Sequence, residues 1–91
     1  MSVTVHIPHP LRDYCQGSPE VPVEAGTVGQ ALKELQVQCP AVYSGVCDET
    51  GAVRRHINLF VNAKLIRRAD GLDMPLVEGD VLYIRPAVSG G

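Results

Sequence analysis

Thr27-Val28-Gly29-Gln30-Ala31-Leu32-Lys33-Glu34-Leu35 is the stretch whose reading decides the architecture. Val28, Ala31, Leu32 and Leu35 fall at i, i+3, i+4 and i+7, the spacing of one apolar stripe along a helix. Thr27 and Gln30 stand where a capping box needs them: the hydroxyl accepts from the third helical N–H while the glutamine reaches back. Gln30, Lys33 and Glu34 face water, and Pro40 stops the helix near Gln38 or Cys39. The pattern predicts a single helix of about 12 residues, ~18 Å long, with one face to bury.

Strands lie to either side. Val3, Val5 and Ile7 alternate with Thr4 and His6 until Pro8 ends the run. Residues 8–19 hold three prolines and one glycine and read as a loop, longer than a simple hairpin connection. Glu20-Val21-Pro22-Val23-Glu24 is a second strand, placed at a sheet edge because Pro22 cannot donate to a ladder. Residues 40–56 read as a mixed connection with a turn at Asp48-Glu49-Thr50-Gly51. Ile57, Leu59 and Val61 then alternate with Asn58 and Phe60 up to a turn at Asn62-Ala63. Lys64-Leu65-Ile66 is a short strand, Arg67–Asp73 is polar, and Glu78-Gly79-Asp80 is a tight turn into Val81–Arg85, closed by Pro86. One helix and four to five strands make a two-layer α+β domain over residues 1–86, followed by a tail at 87–91.

Strand parity divides the sheet into two faces. If Ile57, Leu59, Val61, Leu82 and Ile84 meet the helix, then Phe60, Tyr83 and Arg85 point outward. Aromatic side chains on an open sheet face form a candidate docking patch, or are two ordinary surface aromatics.

Composition restricts the function. The chain has 91 residues, 45% hydrophobic and 20% charged, with net charge −2; this is a small globular domain rather than a disordered polyanion or a disulfide miniprotein. The charge is split between the halves, about −4 over residues 1–53 and +2 over 54–91. No excess of Lys and Arg exists to displace counterions, which argues against nucleic acid as the main ligand. No run reaches the ~18 apolar residues of a membrane span, and Met1–His6 does not read as a signal peptide, so a cytoplasmic protein is expected. Cys15, Cys39 and Cys47 form no C-x-x-C and are expected to be free thiols in that reducing compartment, without a catalytic role. His6 and His9 flank the strand-breaking Pro8 and lack a second ligand pair, so no metal site is expected. Asp70, Asp73 and Asp80 read as solvated or capping acids. Arg54-Arg55 and Arg67-Arg68 are surface charge or a contact for an acidic partner. No phosphate-cradling loop is present, so any ATP chemistry falls to a partner.

After Pro86 the chain reads Ala87-Val88-Ser89-Gly90-Gly91; the six residues from Pro86 would make an arm of ~20 Å if extended. A frayed terminus is one reading. Chemistry supplies another: an α-carboxylate of pKa ~3.3–3.7 is ionised and a poor electrophile until it is activated, for instance by adenylation. Glycine lacks Cβ, so it can thread a narrow channel and leaves the acyl carbon unhindered. Sulfide attack gives a thiocarboxylate, and persulfide attack gives an acyl disulfide that a thiol reduces to the thiocarboxylate; capture by a thiol and then a lysine amine gives an isopeptide.

The β-β-α-β-β order, Glu78-Gly79-Asp80-Val81 and Pro86-Ala87-Val88-Ser89-Gly90-Gly91 together resemble the ThiS/MoaD family of ubiquitin-like sulfur carriers, over essentially the whole chain. The resemblance implies a β-grasp fold with the first and last strands adjacent and parallel. It also implies adenylation of Gly91 by an E1-like enzyme using ATP, and conversion of Gly91 to a thiocarboxylate consumed by a sulfur-accepting synthase. Gly90 would permit threading and Pro86–Ser89 would form the arm, with no bound cofactor and no catalytic residue in the chain itself. Within the family, Arg54-Arg55-His56-Ile57-Asn58-Leu59-Phe60-Val61-Asn62 looks closest to MoaD-like carriers, and the long 40–56 connection departs from the compact thiamin carriers. That combination is similar to actinobacterial carriers that supply sulfur for cysteine synthesis. A ubiquitin-like modifier conjugated to lysines is the competing reading, and a non-covalent β-grasp binding module is a third.

Overall fold

The computed structural model describes residues 1–66 and 71–86. Among the described residues, two α-helices and five strands follow one another, with 3₁₀ segments at His9–Cys15 and Gly71–Asp73: β1 (Ser2–His6), β2 (Glu20–Glu24), α1 (Val28–Gln38), α2 (Pro40–Val46), β3 (Ile57–Val61), β4 (Lys64–Leu65) and β5 (Val81–Pro86). The five strands form one sheet in the order β2-β1-β5-β3-β4. β1 and β5 run parallel at its centre, and the other neighbours are antiparallel. This is the mixed α+β arrangement expected, with Pro22 on the edge strand.

Parity is as anticipated. Val3, Val5, Val21, Val23, Ile57, Leu59, Val61, Leu82 and Ile84 are buried on one face, beneath Val28, Ala31, Leu32 and Leu35 of α1. Burial of these aliphatic groups is the main force holding helix to sheet, ~1.5–3 kcal/mol for each large side chain. Thr27 caps α1, its hydroxyl accepting from Gln30 N–H at 3.2 Å. Gln30 Oε1 accepts from Gly26 N–H at 2.7 Å, one residue earlier than a standard capping box.

Two connections carry more structure than their composition suggests. Residues 40–56, read as a mixed connection, contain α2. Pro40 ends α1 yet also sits at the first turn of α2, where a missing N–H costs nothing. Val42 and Val46, four apart, face inward and are fully buried, which gives this short helix its anchor. Residues 8–19, read as a loop, contain a 3₁₀ segment at His9–Cys15. Gln16 and Gly17 end it with φ of 57° and 77°.

The expectation of three free thiols is corrected as well. Cys15 and Cys39 are disulfide-bonded, with Cα atoms 5.6 Å apart, and Cys47 remains a buried free thiol. The pairing is tertiary: the 3₁₀ segment folds back onto the α1–α2 junction, a contact that the 24-residue separation does not reveal.

Candidate functional site: the open sheet face

Opposite the helices, the register aligns one residue from each strand. Glu20 of β2 is paired with His6 of β1, His6 with Tyr83 of β5, Tyr83 with Phe60 of β3, and Phe60 with Leu65 of β4. The row therefore crosses the whole sheet, and the patch expected from Phe60, Tyr83 and Arg85 sits at its centre. The guanidinium carbon of Arg85 lies 5.1 Å from the Tyr83 ring centroid and 5.9 Å from that of Phe60, within cation–π range of both. His6 and Tyr83 pack with ring centroids 5.1 Å apart and planes tilted by 43°. Phe60 and Tyr83 are half-buried, and Leu65 is 52% exposed. The result is an aromatic and aliphatic strip with one cation above it and a carboxylate at its edge, suited to a partner with complementary apolar and acidic groups.

His6 and Leu65 are members that sequence reasoning did not assign. Alternation in β1 already turns His6 away from the core. Its place beside Tyr83, however, depends on β1 pairing with β5, which local patterning does not encode. Leu65 joins because the Asn62-Ala63 turn sets Phe60 against it.

The turns where β3 ends and β5 begins are locked together. Asn62 takes a positive φ of 54°, and its side chain donates to Asp80 Oδ1 at 3.0 Å while accepting from Val81 N–H at 3.1 Å. Asp80 Oδ2 accepts from Val77 N–H at 2.9 Å. The Val77 and Asn62 hydrogen bonds hold the Asp80 carboxyl below its usual range. Asp80 is thus a capping acid. Gly79, with φ 86°, makes the turn, and its N–H donates to Ser2 O at 2.9 Å, tying β5's start to β1. The turn expected at 48–51 is present too: Asp48 Oδ1 accepts from the Thr50 hydroxyl, Thr50 N–H and Ala52 N–H, which lowers its pKa.

Of the paired arginines, Arg54 donates through Nε to Ser44 O at 2.9 Å, which fixes the loop after α2, and Arg55 is exposed. Arg67, Arg68 and Asp70 lie outside the described residues. Among the described residues no three His, Cys, Asp or Glu side chains gather as a metal site requires, and no helix is long and apolar enough to cross a membrane.

Pro86 is the last residue of β5, paired with Ile57, and so belongs to the sheet rather than to a free arm. β1 pairs only with Val81–Tyr83, so beyond Tyr83 one flank of β5 has no β1 partner and tolerates a proline. Ala87, Val88, Ser89, Gly90 and Gly91 lie outside the described residues.

Similar proteins place this geometry in a family. The sulfur carrier protein CysO of Mycobacterium tuberculosis is 32% identical over 93 residues, spanning the whole of both chains. Its crystal structure superposes with a TM-score of 0.85, covering 94% of this chain and 99% of that one. A chain of the Amycolatopsis orientalis BexX/CysO complex is 32% identical with a TM-score of 0.85, covering 98% of this chain and 99% of its own. Small archaeal modifier protein 3 of Haloferax volcanii is 32% identical over 65 residues, 71% of this chain and 70% of that protein. The ThiS family model matches residues 5–91, and with relatives of this identity over the full length, the chain belongs to the ThiS family.

Proposed function

We propose that this protein is a sulfur carrier that works in the cytoplasm as a substrate of partner enzymes, with no catalytic residue of its own. The observation that carries the reading is the family match running through Gly90-Gly91. An E1-like enzyme joins the Gly91 carboxylate to AMP from ATP, releasing pyrophosphate. Hydrosulfide then attacks the acyl carbon, AMP leaves, and the thioacid loses its proton to remain as a thiocarboxylate. A sulfur-accepting synthase consumes it. No cofactor is bound by the carrier, since the ATP is handled by the partner.

Residues 1–86 are the docking body and 87–91 the reacting tail. The strip of Phe60, Tyr83 and Arg85 seats the enzyme, and two of its members lie on β5, the strand that precedes Ala87, Val88, Ser89, Gly90 and Gly91 in the sequence. Gly90 and Gly91, which lack Cβ, let the end of the tail thread. Among the acceptors open to such a carrier (cysteine, molybdopterin, thiamin or another sulfur-containing metabolite), cysteine synthesis is favoured by full-length likeness to CysO.

The test is intact mass. Incubated with its E1-like enzyme, ATP and a sulfide source, the protein should exchange one terminal oxygen for sulfur, and lose it again when a synthase and acceptor are added. Likeness to a small archaeal modifier supports a second reading, conjugation through Gly91 to lysines of other proteins. Covalent high-mass adducts in cells, with no thiocarboxylate detected, would replace the carrier reading with the modifier one.

A further inference from the structure

The Cys15–Cys39 bond takes no part in the carrier chemistry, and its position gives it a different use. Cys15 ends the 3₁₀ segment, and Cys39 is at once the C-cap of α1 and the N-cap of α2. The bond thus clamps three elements at one point. The 3₁₀ segment is also held by Leu11, which packs on Gly45 of α2, and by Arg12 Nε donating to Ile7 O at 3.0 Å.

Both cysteines line an open groove of about 370 Å³, together with Tyr14, Val21, Pro22, Gln38 and Pro40. Both are buried, with 8% of each residue left exposed, and the groove they line is the route by which a small molecule would approach the bond. Thiol–disulfide exchange needs that access, because a thiolate must approach one of the two sulfurs. Cys47 is a poor competitor. It is 2% exposed, lies outside this groove, and burial pushes its thiol up.

We propose that Cys15 and Cys39 form a reversible thiol–disulfide site whose substrates are small thiols, dithiols and their disulfides, giving the protein a tied and an untied state. In reduction, a thiolate of the reductant bonds to one cysteine sulfur, and the other sulfur leaves as a thiolate that takes up a proton. A second thiolate of the reductant then displaces the first cysteine, which is protonated in turn. Two electrons and two protons reach the protein, and the reductant leaves as its disulfide. In oxidation, a small disulfide accepts the two electrons and leaves as two thiols.

The untied state is expected to keep the sheet and α1, whose core residues Val5, Ile7, Leu35, Leu82 and Ile84 are fully buried. What loosens is the connection between β1 and β2, which runs from Cys15 into Glu20, the β2 end of the open-face row. Cross-linking residues 24 apart restricts the unfolded chain, so the tied state is the more stable one.

The experiment equilibrates the full chain in glutathione buffers from fully reduced to fully oxidised, quenches with acid, and counts alkylatable cysteines after unfolding. One is expected at the oxidised end and three at the reduced end, with peptide mapping placing the bond at Cys15–Cys39. Reduction should lower Tm by roughly 10–20 °C and raise amide exchange over residues 9–19 and 38–47 while leaving β3 and β5 protected. The C15S/C39S double variant should melt at one temperature in every buffer. Three alkylated cysteines in all buffers, or a bond to Cys47, would overturn the proposal. So would reduction that proceeds only as fast as global unfolding, a measurement that needs no variant.

Discussion

Asn62 and Asp80, eighteen residues apart, hold the two turns at one end of the sheet against each other through a 3.0 Å side-chain hydrogen bond. Because Asn62 also accepts from Val81 N–H, it fixes where β5 begins relative to β3, and so sets the register that brings Phe60 opposite Tyr83. An exposed Asn62 and a partly buried Asp80 thus help fix the alignment of the open face.

That pair makes stability sensitive to acid. The Asp80 pKa is lowered in the folded state, chiefly by Val77 N–H and then by Asn62. A depressed carboxyl contributes stability that is present above its unfolded pKa of ~3.9 and lost as pH falls through the folded value. Asp48, lowered by the Thr50 hydroxyl, Thr50 N–H and Ala52 N–H, acts in the same direction. Urea titrations of Asp80→Asn between pH 7 and pH 2 should show a shallower acid loss than the parent protein. An identical slope would mean that Asp80 titrates alike in both states.

Leu32 tests the helix–sheet interface. Its side chain is 3% exposed and shares the inward stripe of α1 with Val28, Ala31 and Leu35. Leu32→Ala should cost ~2–5 kcal/mol, a large part of the stability of a small domain. The chemical-denaturation midpoint reports it, and an unchanged midpoint would show that the stripe does not pack.

Much of this was legible locally and some was not. Period-3.6 spacing from Val28 to Leu35, period-2 spacing in β1, β3 and β5, and Pro22 on an edge are all short-range signals, and each matches the fold. The Val42–Val46 pair carried a helical signal too, but Pro40 masked it, since a proline can end one helix and start the next. The Cys15–Cys39 bond and the place of His6 beside Tyr83 are of another kind. Both arise from contacts between segments distant in sequence, which no local periodicity contains. Arg85 illustrates the intermediate case: parity puts it outside, but only the register shows its guanidinium lying over both rings.

Phe60 separates docking from folding. It is half-buried and stands between Tyr83 and Leu65 on the open face, so truncation removes cross-strand contacts worth ~0.2–1 kcal/mol each but leaves the core intact. Phe60→Ala should weaken binding to the activating enzyme by about 1–3 kcal/mol, as loss of an aromatic anchor does. Calorimetric titration against the enzyme measures the first effect and thermal melting the second. A variant that binds normally would remove the open face from the docking reading.

Gly91 carries the sharpest test, because its carboxylate is the group that the proposed chemistry consumes. Removing it shortens the reach from the folded body by one residue, ~3.3–3.6 Å. A misplacement of even ~1 Å can cost ~100-fold in rate, so the Gly91 deletion should fold normally and fail to accept AMP or sulfur. Adding a residue after Gly91 should block activation as well, since the adenylated carboxylate would then lie too far along, unless a protease trims the extension. Gly91→Ala keeps the reach and adds one Cβ beside the acyl carbon, so adenylation should slow while binding through Phe60 is unaffected. Pyrophosphate release measures the first step and intact mass the second. If the Gly91 deletion supports sulfur transfer as well as the full chain does, the terminal carboxylate is not the carrier and the reading falls.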